Sequence, residues 1–331
     1  MTVYTERQAG SRRHDFLQTH AHVLSITLFF ALCCVVFASL SDVFLEPGNL
    51  LNILRQAAPN LIIGIAMTFV ITTGGIDLSV GSIVALVNSL AAVMLKGGYN
   101  WPLTSLVMLG FGALIGLFQG FFVAYQRIPA FIVTLAGLSA LRGCALVLTG
   151  GFSILIPPSL FLTIGRGTLA GVPYPAVIGL AVAVLGYVVL NTTIYGRRVV
   201  AVGANTEAAR RVGMPAQGTI ASVYVFSGIA SALAALVIAA RLGSGSSNAA
   251  VGVELDVIAA VVLGGTSLSG GRGTIIGTIL GTLTIAVISN GLILAHINPF
   301  FTQIVTGAII LVAIWLNTRI FDRLGSTRRR G

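Results

Sequence analysis

Charge is what this chain has least of. Charged residues fill 8% of its 331 positions, and only 9 of them are acidic. An ordinary soluble domain carries about 25%. A soluble fold of this length cannot solvate its surface with so little charge, which excludes a water-soluble globular protein. Cysteine is nearly absent too. Cys33, Cys34 and Cys144 lie in apolar stretches without metal-ligand spacing, so they read as small packing residues and not as a disulfide framework. The histidines are His14, His20, His22 and His296; His20 and His22 form at most a weak metal pair on an N-terminal tail. There is no H-E-x-x-H, no G-x-x-x-x-G-K-[ST] and no catalytic constellation. Lacking a phosphate loop, the chain must take any ATP chemistry from another polypeptide.

What is abundant is apolar sequence. Hydrophobic residues make up 56% of the chain, with 40 glycines and a mean hydropathy of +0.98. These values describe an integral membrane protein whose glycines serve tight helix packing and interrupted helices. A span needs about 20 mostly apolar residues. The pattern predicts an all-α polytopic protein with about ten spans, near 23–41, 58–73, 77–95, 103–125, 129–149, 175–191, 217–240, 254–266, 272–293 and 300–318. The second and eighth are short and broken by glycine, as re-entrant or tilted segments would be. The first run follows Arg7, Arg12 and Arg13, as in a signal peptide, but its length favours an uncleaved span. The expected organisation is a tail at 1–22, one membrane domain at 23–318 and a second tail at 319–331.

The net charge of +10 does not imply nucleic acid. The arginines cluster in the N-tail, in the 192–216 loop (Arg197, Arg198, Arg210, Arg211) and in the C-tail (Arg319, Arg323, Arg328, Arg329, Arg330). An even number of spans puts all three regions on one side, which the positive-inside rule makes the cytoplasm. The loops assigned to the other side hold Arg55, Lys96, Arg166 and Arg241.

The most informative stretch is 72–82, Thr-Thr-Gly-Gly-Ile-Asp-Leu-Ser-Val-Gly-Ser. A glycine pair, Gly74 and Gly75, interrupts a membrane-length apolar run, and Asp77 follows. Broken helices are tolerated at membrane depth only where protein or a water-filled cavity surrounds them. A carboxylate there costs roughly 3 kcal/mol on insertion scales and usually marks a site. Asp77 or Ser79 can cap the next helix, or the break can line or gate a path for a polyhydroxylated solute. The string GGIDLSVG (74–81) is echoed by GGTSLSGG (264–271), which makes Gly264, Gly265 and Ser269 a counterpart in the other half. Ile-Pro-Ala-Phe (128–131) against Asn-Pro-Phe-Phe (298–301) has a different offset, so no clean duplication follows. Glu254 and Asp256 open the eighth span after a Gly/Ser-rich stretch, 244–248, that reads as an exterior loop. They serve either as helix-start carboxylates or as the mouth of a pathway facing an external partner.

In the 192–216 loop, Asn205 or Thr206 is a good N-cap, Glu207–Val212 has helical propensity, and Gly213 with Pro215 ends the helix. A short capped helix on that face either docks a partner or merely connects two spans.

The motifs TTGGIDLSVGSIVAL (72–86), IPAFIVTLAGLSALRG (128–143), GRRVVAVGANTEAARRVGM (196–214) and VELDVIAAVVLGGTSLSGGRGTIIGT (253–278) resemble, in this order, the permease subunits of bacterial ABC sugar importers of the ribose, xylose, arabinose and galactose type. The likeness runs from about residue 45 to 317 and is weak in the first tail and at 150–174. The resemblance implies a multi-pass protein of the bacterial inner membrane with both termini cytoplasmic. It also implies a second permease, the same or similar, cytoplasmic ATPase subunits that carry ATP and Mg, and a periplasmic solute-binding protein. It makes 203–214 a coupling helix, with Asn205, Glu207, Ala208, Ala209 and Gly213 matching the pattern. Related permeases carry branched-chain amino acids or a signal-sugar derivative. An ion-coupled secondary transporter, with Asp77 as its coupling group, is the other reading.

Overall fold

The computed structural model describes residues 23–298 and, beyond them, positions 301, 304, 305, 307, 308 and 311. Both tails, the His20/His22 pair and most of the 300–318 span lie outside the described residues. The chain is helical in this order: α1 (Val23–Leu40), α2 (Pro47–Thr72), α3 (Val80–Lys96), α4 (Trp101–Ala124), α5 (Ala130–Thr149), α6 (Phe161–Arg166), α7 (Tyr174–Thr192), α8 (Ile194–Ala204), α9 (Thr206–Arg211), α10 (Ala216–Leu242), α11 (Val253–Leu263) and α12 (Ile275–Leu294). Strand is confined, among the described residues, to two small antiparallel ladders. β1 (Ile154–Leu155) pairs with β4 (Ser244–Gly245), and β2 (Thr168–Leu169) forms a hairpin with β3 (Val172–Pro173).

Of the described helices, 7 are long and apolar enough to cross a membrane: α1, α2, α4, α5, α7, α10 and α12. The sequence-drawn boundaries hold for most of them, with one clear difference. The second span is not short. It begins at Pro47, whose missing N–H is harmless in a first turn, and continues through Pro59 to Thr72. Asn49, Asn52, Arg55 and Gln56 dilute the hydropathy of its first half, and Pro59 mimics a stop. The eighth does stay short: α11 has 11 residues, about 16 Å of helix, roughly half of a hydrocarbon core.

The core forms around α2, α3 and α10. Ile62, Ile63, Met67, Val70, Ile71, Ile83, Val84, Val87, Val223, Tyr224 and Val237 are wholly buried there. The outer helices α1, α4, α5 and α7 instead show large apolar side chains such as Leu28, Leu114, Phe118, Val147 and Leu185. Lipid tails are as apolar as leucine, so such exposure carries no penalty, and helices associate by close packing instead. Gly112, Gly116 and Gly120, spaced by one turn on α4, meet the α10 backbone at Gly228, Tyr224 and Ala221. A Cβ at any of them would collide with main chain. All three cysteines are free; Cys33 is buried, while Cys144 lies exposed on α5 and so does not pack as expected.

Candidate functional site: two helix breaks and an exposed helix

The break between α2 and α3 is a polar knot. Gly74 turns the chain with φ +83°, and Gly75 lies so close to the Tyr224 hydroxyl that a Cβ would sit 2.5 Å from it. Asp77 is fully buried. Its Oδ1 accepts from the Ser79 N–H at 2.9 Å and from the Ser79 hydroxyl at 2.6 Å. Its Oδ2 accepts from the Ser227 hydroxyl of α10 at 2.6 Å. Gln119 of α4 donates to Ser79 Oγ at 2.8 Å, and Thr134 of α5 donates to the Ile76 carbonyl at 3.3 Å. The carboxylate therefore ties the break to itself and to α10, and through Ser79 to α4. Ser79 occupies the N-cap position of α3 but makes no side-chain cap bond; the side chain that bonds a backbone N–H there is Asp77, two residues ahead.

The echo at 264–271 follows α11. Gly264 packs directly on the Gly277 backbone of α12, and Gly265 turns the chain with φ +92°. The Ser267 N–H closes the loop on the Arg272 carbonyl at 3.0 Å. Ser269 lies exposed near the tip. The two breaks meet: the Gly271 N–H donates to the Thr72 carbonyl at 2.9 Å, and a Cβ on Gly270 would lie 3.1 Å from the Gly74 nitrogen.

The third partner at this junction is α8, which the sequence did not separate from its loop. Val199 and Val202 bury one face of it completely. On the same helix, Gly203 packs onto the Thr72 carbonyl and the Gly271 nitrogen, leaving no room for a Cβ. Two residues on, Asn205 caps α9 by accepting from the Ala208 N–H at 2.9 Å. The far end is a Schellman turn: Gly213 (φ +81°) donates to Arg210 O at 3.0 Å, and Met214 donates to Ala209 O at 3.0 Å. Of α9, only Ala209 is buried, against Val202 and Ala216. Asn205, Glu207, Ala208, Arg210, Arg211 and Val212 are exposed, Val212 by 74%. Arg210 and Arg211 both bond Glu207. Those hydrogen bonds, from Arg210 first and then Arg211, hold the Glu207 carboxyl below its usual range.

The opposite end of the bundle departs from expectation. The 244–248 stretch is not a free exterior loop. Arg142 of α5 donates to the Ser247 and Ala249 carbonyls at 2.6 and 2.9 Å. Asn88 of α3 accepts from the Ser246 N–H at 2.6 Å, and Ser247 is fully buried. Glu254 and Asp256 do sit in the first turn of α11. Arg55 lies inside α2 and Arg241 in the last turn of α10, not in loops. Arg166 donates to the Arg241 carbonyl at 3.2 Å.

Sequence reasoning missed Ser227, Gln119, Thr134, Tyr224 and Gly203. Gln119 left a trace, as a lone amide in an apolar helix. The others are unremarkable until the helices are placed.

Residues 49–314 match the family described as the permease component of branched-chain amino acid transport systems. The chain is 42% identical over 287 residues to a ribose import permease protein, RbsC, of Bacillus subtilis, covering 86% of this chain and 89% of the relative. It is 38% identical to a probable ABC transporter permease protein, YphD, of Escherichia coli, covering 95% of each. The identity is 32% to the xylose transport system permease protein XylH of the same species, covering 90% of each. No solved structure matches the chain.

Proposed function

We propose a finer function from one premise: the chain belongs to this permease-component family and is a multi-pass membrane permease of an ABC importer. That membership sets aside the ion-coupled secondary transporter. Its solute, on this reading, is a monosaccharide or closely related polar compound, as the names of the ribose and xylose relatives suggest. The α8–α9 end faces the cytoplasm, supported by its arginines and the positive-inside rule. Both termini lie on that side too. A periplasmic binding protein delivers the solute, a second permease completes the membrane unit, and cytoplasmic ATPase subunits bind ATP and Mg.

One observation carries the coupling mechanism. The exposed, doubly capped α9 is joined through α8 to Gly203, and Gly203 packs on the junction of both helix breaks. A push on α9 from closing ATPase domains reaches Thr72 and Gly271 without a flexible intermediary. The breaks are where helices can re-aim, since each lacks continuous intrahelical bonds. Gly74, Gly75, Asp77, Ser79, Gly264, Gly265 and Ser269 then belong to the moving gate. Asn205, Glu207, Ala208, Ala209 and Gly213 form or hold the docking helix. A tight solute site in the permease would slow release, so the permease holds its solute weakly and the binding protein supplies most of the selectivity.

The test is the Glu207→Ala/Gly213→Val double variant in the assembled importer. ATP hydrolysis is expected to continue while solute uptake is lost and the protein still reaches the membrane. Wild-type uptake by the double variant would refute the coupling role of α9.

A further inference from the structure

Resting on that permease reading, we propose that a polar cavity between α2, α11 and α12 is the site where one monosaccharide rests during passage. The cavity measures about 130 Å³, below the roughly 300–1,000 Å³ of a drug-sized ligand site, so its occupant is a single small molecule. Its polar wall is Gln56 and Asn60, one turn apart on α2, Asp256 on α11, and Thr282, Ser289 and Asn290 on α12.

The wall is unspent. Thr282 is 3% exposed, yet its hydroxyl has no hydrogen-bond partner. A buried hydroxyl left in that state costs about 1–3 kcal/mol unless something fills the space beside it. Among the described residues, the side chains of Gln56, Asn60, Asp256 and Ser289 also make no hydrogen bond, although each lines the same space. Asn290 is the exception. It exchanges two 3.0 Å bonds with Asn49 and is fixed in the wall.

The chemistry selects the occupant. Amides both donate and accept, the carboxyl accepts, and hydroxyls do either, which matches a ring that carries hydroxyls on most of its carbons. Ile53 and Ile285 supply apolar surface for its C–H face. The wall holds no lysine or arginine to pair with an anion. A divalent cation would want more carboxylates, and no group of three or more His, Cys, Asp or Glu side chains comes together among the described residues.

A seal that the breaks can move lies one helical turn beyond the cavity wall at Thr282. Toward the Thr72 end of α2, the Thr68 and Thr278 hydroxyls share a 2.7 Å hydrogen bond, and Gly64 lets α12 approach at Thr278 and Thr282. This seal lies on α2 between the cavity and the Gly203 junction. Shifting Thr72 displaces Thr68, one turn away, and breaks this seal toward the α8–α9 end.

The experiment uses the complete importer in proteoliposomes, with radiolabelled D-ribose and D-xylose as probes. Ser289→Leu fills the cavity and is expected to lower uptake of both by about tenfold or more, a loss of roughly 1.4 kcal/mol. Ser289→Thr keeps the hydroxyl and should restore most of it. Asn60→Gln should change the ribose-to-xylose uptake ratio severalfold, which a merely structural residue would not do. If Ser289→Leu does not reach the membrane, Gln56→Trp, at an exposed position, fills the same space and makes the same test. Unchanged uptake in a membrane-inserted filling variant, with an unchanged sugar ratio in Asn60→Gln, would overturn the cavity alone. A wild-type importer that carries no monosaccharide would overturn the parent reading, and this proposal with it.

Discussion

Replacing Asp77 separates the shape of its side chain from its charge. Asp77→Ala strands three donors. The Ser79 backbone N–H cannot turn elsewhere, because the chain holds it in place ahead of α3. The Ser79 hydroxyl retains Gln119 as a neighbour at 3.2 Å, and the Ser227 hydroxyl can rotate toward its own helix. One orphaned buried N–H costs about 1–3 kcal/mol, and the lost charge-assisted bond to Ser227 adds to it. The expected destabilisation is about 2–4 kcal/mol. Asp77→Asn keeps an oxygen for the Ser79 N–H and turns an amide toward Ser227, whose oxygen can accept. Its cost should be nearer 1 kcal/mol. Thermal unfolding of the purified permease in nanodiscs, beside solute uptake in the assembled importer, reads both. The expected order is wild type, then Asn close behind, then Ala several degrees lower, with Asn retaining most uptake. If Asn unfolds as early as Ala, the charge itself stabilises the break and the hydrogen-bond account fails. If Asn folds well but transports nothing, the carboxylate is a pathway group and not a positioning one.

Two more outcomes follow from the junction and the docking helix. Gly203→Ala adds a methyl where the Thr72 carbonyl and Gly271 nitrogen already sit. It should lower uptake strongly, although alanine favours an isolated helix by about 1 kcal/mol; uptake equal to wild type would show that α8 does not press on the breaks. Glu207, held below its usual range by Arg210 and Arg211, favours folded α9 at any pH above the unfolded glutamate value of about 4.3. That contribution disappears as the pH falls through the lower folded value. A carboxylate infrared titration against Glu207→Gln should find the step below the ordinary range and find it raised by Arg210→Ala; a step at the ordinary value in wild type would refute the pairing.

Sequence by itself determined the class of the molecule. Membrane residence, the approximate spans, the break at 74–79, its echo and the capped helix at 205–213 all follow from local chemistry. Hydropathy is set by composition, glycine by its missing side chain, and a cap by one side chain and the amides just beyond it. Where the sequence misjudged, the cause was competition between local signals. Polar residues and Pro59 hid the first half of α2, and the Gly/Ser character of 244–248 hid its anchoring by Arg142 and Asn88.

Only the tertiary structure decided what each signal touches. The two glycine breaks stand far apart in the chain, yet they close on one another and on Gly203, because an α2 end, an α11 loop and α8 pack at the same end of the bundle. The cavity wall was less legible still. Gln56, Asn60, Asp256, Thr282 and Ser289 are scattered polar positions on three helices, and no local pattern relates them. Their convergence depends on helix rotation and crossing, which are set by packing over long range and leave no mark in any short stretch of sequence.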